Sequence, residues 1–198
     1  HAGVLRVLLR WGYRPSAIVG VSMGAVVGTA YAARSDWFER LLRQGTDSFP
    51  HPRGYRGRDE SPPSPLRRAW RAAVLADDLL RSWGPGVRAM DEGRHFLSAL
   101  VGELTFEDLA IPVAVCTTDL ESGERVVLQT GPVDDAVYAS AALAGVLPPI
   151  TIEGRLLADG TYSDIAPIDV ARAFPVDRVI AVDPGQLQRG APIRNGIQ

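Results

Sequence analysis

The chain has 198 residues, 46% of them hydrophobic and 22% charged, with a formal net charge of −2 and a pI near 5.9. This length suits one domain with a substantial core; the near-balanced charge gives no electrostatic case for binding nucleic acid, and no basic patch for anionic lipid stands out. The single cysteine, Cys116, excludes an internal disulfide; in the apolar run IPVAVCTTDL it reads as a small buried hydrophobe. His1, His51 and His95 are far apart and lack i,i+4 partners, so no metal site is expected. No apolar stretch reaches the ~18 residues of a membrane span. With one cysteine and no visible signal peptide, the cytoplasm is the default location. The chain begins at His1, without Met and already in helix-like sequence, which reads as a piece trimmed from a longer protein.

Ala2 to Trp11 carries apolar residues at helical spacing with Arg6 and Arg10 four apart, and Gly12 closes that helix. Ala17 to Val21 is short, apolar and partly β-branched, as in a buried strand. Met23 to Ala33 is Ala, Val and Gly without polar relief, a buried helix packed close to a sheet. Asp36 to Gln44 continues as a short amphipathic helix. Residues 45–65, rich in Gly, Pro, Ser and charge, read as a surface loop. Leu66 to Trp83, and more weakly Val87 to Val101, return to helical spacing, so 66–101 reads as a helical cap or outer layer. Strands follow at 112–117 and 125–129 around the turn Glu121-Ser122-Gly123, then a helix from Val133 to Leu143. Ile150 to Ile152 and Arg155 to Ala158 flank Glu153-Gly154 as a hairpin. Pro167 to Phe174 is a helix, and Arg178 to Val182 a last apolar strand. Alternating strands and helices predict one α/β layered domain over 1–198 with a mainly parallel sheet.

Gly20-Val21-Ser22-Met23-Gly24 stands between the first strand and the buried helix. A G-x-S-x-G turn from strand to helix holds its serine in a strained conformation that exposes the hydroxyl. Glycines two before and two after are expected because a Cβ at either place would crowd the turn. The helix that follows aims its first N–H groups and positive dipole end at the same point. Ser22 therefore reads as a nucleophile, or else as an N-capping serine of a plain strand-turn-helix connection.

A nucleophilic serine needs a base. None of the three histidines sits in a turn that would present it to Ser22, so a His-based triad is the weaker alternative and the carboxylates are the better candidates. Asp159 follows an apolar strand and precedes Gly160, so it can project into a cleft; it can equally close the hairpin as an Asx turn. Asp119, Asp164 and Asp169 lack this strand-Asp-Gly setting. A carboxylate of ordinary pKa, about 4, is a weak base for a hydroxyl, and burial strengthens it.

Several stretches, taken in order, resemble the patatin-like phospholipases, in particular bacterial-type patatin domains. They are HAGVLRVLLRWGYRPSAIVGVSMGAVVGTAYA, VCTTDLESGERVVLQTG, AVYASAALAGVLPPITIEGRLLADGTYSDIAPIDVAR and DRVIAVDPG. Together they cover about half of the chain, and residues 136–172 are the most specific part. The resemblance implies a three-layer α/β/α sandwich and a Ser-Asp dyad, with Ser22 the nucleophile and Asp159 its base, and no histidine, metal or organic cofactor. It implies hydrolysis of fatty-acyl esters of phospholipids or related lipids through an acyl-enzyme, with transient contact to a membrane surface. An acyltransferase would use the same dyad. A non-catalytic lipid- or protein-binding module, acting through 45–65 and 66–83, is the reading from outside enzymology.

Two departures from the family stand out. Its first strand and glycine-rich oxyanion loop lie upstream of the helix that starts here near Ala2, which leaves the Met23 backbone N–H as the oxyanion donor. Asp159-Gly160 is followed by Thr161 where the family has Gly or Ala. Trp11, Trp37, Phe49, Trp70 and Trp83 could line an acyl path or a membrane-facing edge, but core packing is the expected role for most of them.

Overall fold

The computed structural model describes residues 1–47, 87–143 and 147–183. Helix α1 (Ala2–Arg10) is amphipathic and buries none of its residues completely. Strand β1 (Ile18–Val21) leads into α2 (Met23–Ala33), which is apolar all round and buries Ala25 to Ala30 and Ala32, the pattern of a helix enclosed on every side. Helix α3 (Trp37–Asp47) runs three residues into the stretch read as loop. Most of that stretch, and the predicted helix at 66–83, lie outside the described residues. Next come α4 (Val87–Val101), β2 (Val113–Asp119), β3 (Arg125–Leu128) and α5 (Val133–Ala141). Strands β4 (Ile150–Ile152) and β5 (Arg155–Asp159) are followed by a 3₁₀ turn, Gly160–Tyr162, and by α6 (Ile168–Arg172).

The five strands form one mixed sheet. Of the four strand pairings among the described residues, only β1–β2 is parallel, which corrects the expectation of a mainly parallel sheet. Chain length between consecutive strands accounts for three of the four pairings. Long helical crossovers separate β1 from β2, whereas short turns join β2 to β3 and β4 to β5, and a short turn returns the chain antiparallel. In the second hairpin Glu153 (φ 50°) and Gly154 (φ 78°) are both left-handed, the type I′ geometry that suits strand twist.

Strand β2 is buried along its whole length and organises the sheet. Strand β3 pairs with residues 115–118 along one edge. The other edge is shared end to end: β1 pairs with 113–116 and β5 with 117–119, running in opposite directions. Both strands therefore finish at the same place, Val21 beside Cys116 and Asp159 beside Thr117.

Helices α2 and α5 pack on the sheet, and α4 packs on both of them through Leu97, Leu100 and Val101. Trp37 is buried, edge-on to Tyr31 and Phe38, so it is a core residue as expected. Trp11 is 72% exposed, and Phe49, Trp70 and Trp83 lie outside the described residues. The predicted strand at Arg178–Val182 is not one: the segment joins no ladder among the described residues, and it lines the same cavity as β1. No helix among the described residues is long and apolar enough to cross a membrane.

Candidate active site

Ser22 sits between β1 and α2 with φ 51° and ψ −125°, a region that side chains other than glycine rarely enter. The turn is tight because Gly20 passes directly against the new helix. A Cβ on Gly20 would stand 2.4 Å from the Ala25 Cα. Gly24 is different: the nearest atoms to a Cβ there belong to His1, 3.8 Å away. The expectation that a Cβ at either glycine would crowd the turn is corrected for Gly24, where it would make only ordinary van der Waals contact with the His1 ring. The Ser22 carbonyl accepts the N–H groups of Ala25 and Val26 and starts the helix, while the first-turn N–H groups of Met23 and Gly24 have no carbonyl to pair with inside it.

The Ser22 Oγ donates a hydrogen bond of 2.7 Å to Asp159 Oδ2, across 137 residues of sequence. Asp159 lies at the last position of β5 and is 1% exposed. Its other oxygen, Oδ1, accepts two bonds from Thr161, 2.9 Å from the backbone N–H and 2.8 Å from the hydroxyl. The Asx-turn geometry and the contact with Ser22 thus coexist, one on each carboxylate oxygen. Thr118 donates to the Asp159 carbonyl and shares a bond with Ser163. Gly160 crosses the β2 backbone at close range, so that a Cβ there would lie only 2.3 Å from the Cys116 carbonyl oxygen.

Of the residues singled out from sequence, Gly20, Val21, Ser22, Met23, Asp159, Gly160 and Thr161 come together here, with Gly24 at the rim. Sequence reasoning missed Ser140. It is fully buried on α5, accepts the Ser22 backbone N–H at 2.9 Å and donates to the Cys116 carbonyl at 2.7 Å. Its one sequence signal is a lone hydroxyl in the small-residue run Ala139-Ser140-Ala141-Ala142. The other carboxylates are engaged elsewhere. Asp164 and Asp169 pair with Arg125, and Asp119 caps the turn after β2. Cys116 is buried as expected, and burial pushes its thiol pKa up to about 12.

Ser22, Met23 and Thr161 open onto a cavity of about 940 Å³, whereas Asp159 stays behind the serine. Its walls are mostly apolar and include Leu5, Leu8, Val27, Ile168 and Phe174. A concave apolar site with a few convergent polar groups is the usual form of a small-molecule site. His1 also lines it, but the hydrogen bond from the Ser22 hydroxyl goes to the carboxylate. No group of three or more His, Cys, Asp or Glu suited to a metal occurs among the described residues.

The sequence profile of a family described as patatin-like phospholipase matches residues 1–172. An uncharacterised NTE family protein of Mycobacterium tuberculosis is 34% identical over 187 residues, covering 92% of this chain and 44% of that protein. A lysophospholipase of Cryptococcus neoformans var. neoformans is 29% identical over 192 residues, 97% of this chain and 11% of that protein. A patatin-like phospholipase domain-containing protein of Caenorhabditis elegans is 31% identical over 193 residues, 95% of this chain and 13% of that protein. The chain therefore spans less than half the length of these relatives.

Proposed function

We propose that this chain, which belongs to the patatin-like phospholipase family, is a serine acyl hydrolase that cleaves fatty-acyl esters of phospholipids or related lipids with Ser22 and Asp159. The observation that carries the reading is the 2.7 Å bond from the Ser22 hydroxyl to a buried carboxylate, made by a serine with φ 51° at a strand-to-helix turn. The fold that goes with it is the three-layer α/β/α sandwich of the family.

The Ser22 Oγ attacks the ester carbonyl carbon as its proton passes to Asp159 Oδ2. Thr161 holds the other carboxylate oxygen, so Oδ2 stays aimed at the serine. Negative charge gathers on the carbonyl oxygen, where the Met23 backbone N–H and the positive end of α2 stabilise it. The ester C–O bond breaks, the alcohol or lysolipid leaves with the proton from Asp159, and the acyl group stays on Ser22. Water then attacks the acyl-enzyme, gives its proton to Asp159 and releases the fatty acid; the proton returns to Ser22. Apolar cavity walls suit an acyl chain, and exposed Met23 and Ile165, which line the same cavity, suit transient contact with a membrane surface.

The test is labelling of the purified protein with a fluorophosphonate probe, read by intact mass, followed by fatty-acid release from lysophospholipid and phospholipid vesicles. A single adduct is expected. It should be absent in Ser22→Ala and much slower in Asp159→Asn. A folded protein that takes no adduct and releases no fatty acid overturns the reading. Ester product formed with an added alcohol acceptor would instead identify an acyltransferase.

A further inference from the structure

The run Ala136 to Ala142 belongs to the most family-like part of the chain, yet the steps above assign it no task. Serine is an indifferent helix former, and its hydroxyl commonly bonds back to the preceding turn. Ser140 reaches away from its helix instead. Its Oγ donates to Cys116 O in β2 and accepts the N–H of Ser22, with no exposed surface at all. Two residues later, just past the end of α5 where helix carbonyls lack partners, the Ala142 carbonyl accepts the Asp159 N–H at 3.2 Å. One helix end thus holds the backbone N–H of both residues that meet at 2.7 Å.

We propose that Ser140 is a positioning residue: its hydroxyl, bridging the Ser22 N–H to the Cys116 carbonyl, fixes the strained turn so that the Ser22 hydroxyl meets Asp159. This rests on the reading of Ser22 as nucleophile and Asp159 as its base. Strain of the Ser22 kind persists only where the surroundings over-determine it. Here the N–H side of the strained residue is tied to Ser140, and its carbonyl side to the first turn of α2. The register of β2 brings the ends of β1 and β5 together, and α5 references both to one rigid element. Without the Ser140 hydroxyl the Ser22 N–H is unpaired, the Cys116 carbonyl loses its donor, and the turn is free to relax away from Asp159.

The experiment measures fluorophosphonate inactivation against probe concentration, which separates the inactivation rate constant from the probe affinity. In Ser140→Ala the rate constant should fall about 10–100-fold, the scale of a sub-ångström to 1 Å misplacement, with probe affinity within about twofold. Ser140→Thr, which keeps the hydroxyl, should recover most of the rate. Val101→Ala, a buried α4 residue away from the turn, should lower Tm without changing the rate constant of the folded protein. A wild-type rate constant in folded Ser140→Ala overturns the proposal, as does an equal fall in Val101→Ala. Where the alanine variant does not fold, Ser140→Cys decides: its weaker hydrogen bonds should give a reduced rate constant, and an unchanged one overturns the proposal. If the unsubstituted protein takes no adduct, the underlying reading fails as well, which sets that outcome apart from failure of the Ser140 role alone.

Discussion

Gly160 and Cys116 cross so closely that a Cβ on Gly160 would lie 2.3 Å from the Cys116 carbonyl oxygen. The obstacle is backbone in the central strand, which cannot swing aside. Gly160→Ala should therefore push the turn after Asp159 off β2. We expect a loss of about 1–3 kcal/mol, the usual scale of overpacking, together with slower labelling of Ser22. Denaturant titration beside the labelling assay checks both, and an alanine variant of unchanged stability and rate would refute the close approach.

The two elbow glycines should behave differently. Gly20→Ala drives a Cβ against the Ala25 backbone and should cost at least as much as Gly160→Ala. Gly24→Ala meets nothing closer than 3.8 Å and gains helix propensity, so its Tm should stay level or rise. Thermal melts of the pair decide this; equal destabilisation would contradict the geometry.

Thr161→Val keeps the backbone N–H bond to Asp159 Oδ1 and removes the hydroxyl bond beside it. A hydrogen bond to a charged group contributes about 1.5–3 kcal/mol, so the carboxylate should lose orientation. A fall in labelling rate of about tenfold is expected, with little change in probe affinity. Thr161→Ser should stay near wild type. A valine variant at full rate would show that the backbone bond alone aims Asp159.

Arg125 clamps the loop after Asp159 by pairing with Asp164 and Asp169. Its hydrogen bond to Asp169 holds that carboxyl below the ordinary range. A lowered pKa stabilises the fold at pH above the ordinary value near 4, and that share is lost as pH falls below it. Tm should therefore drop as pH falls from about 5 through the ordinary value near 4 and below. In Arg125→Met the drop attributable to Asp169 should be missing. Equal slopes in both proteins would mean that the pair contributes nothing.

Cys116 is fully buried and its thiol pKa is pushed up to about 12, so almost no thiolate exists at neutral pH. Iodoacetamide at pH 7.5 should leave the native protein unmodified and add one group in denaturant. Intact mass gives the answer directly. Rapid alkylation of folded protein would place Cys116 outside the core.

Much of this architecture was legible in residue order. Periodicity located α1, α2 and the β4–β5 hairpin almost to the residue, because amphipathic spacing and turn chemistry are local properties. The strand read at Arg178–Val182 failed for the opposite reason: apolar β-branched residues state a preference, but a ladder needs an adjacent backbone. Gly24 was misread because a motif records residue types and says nothing of the space around them.

The sequence by itself singled out the groups to which we assign the chemistry. The strand-Ser-helix turn, the strand-end Asp before glycine and the absence of a well-placed histidine all lie in short contiguous stretches. Tertiary structure alone decided that Ser22 and Asp159 meet. That depends on the register by which β1 and β5 share one edge of β2 and stop at Cys116 and Thr117, a relation between segments 137 residues apart. It also decided the role open to Ser140, since a lone hydroxyl among alanines gains its meaning from the strand and turn packed against it.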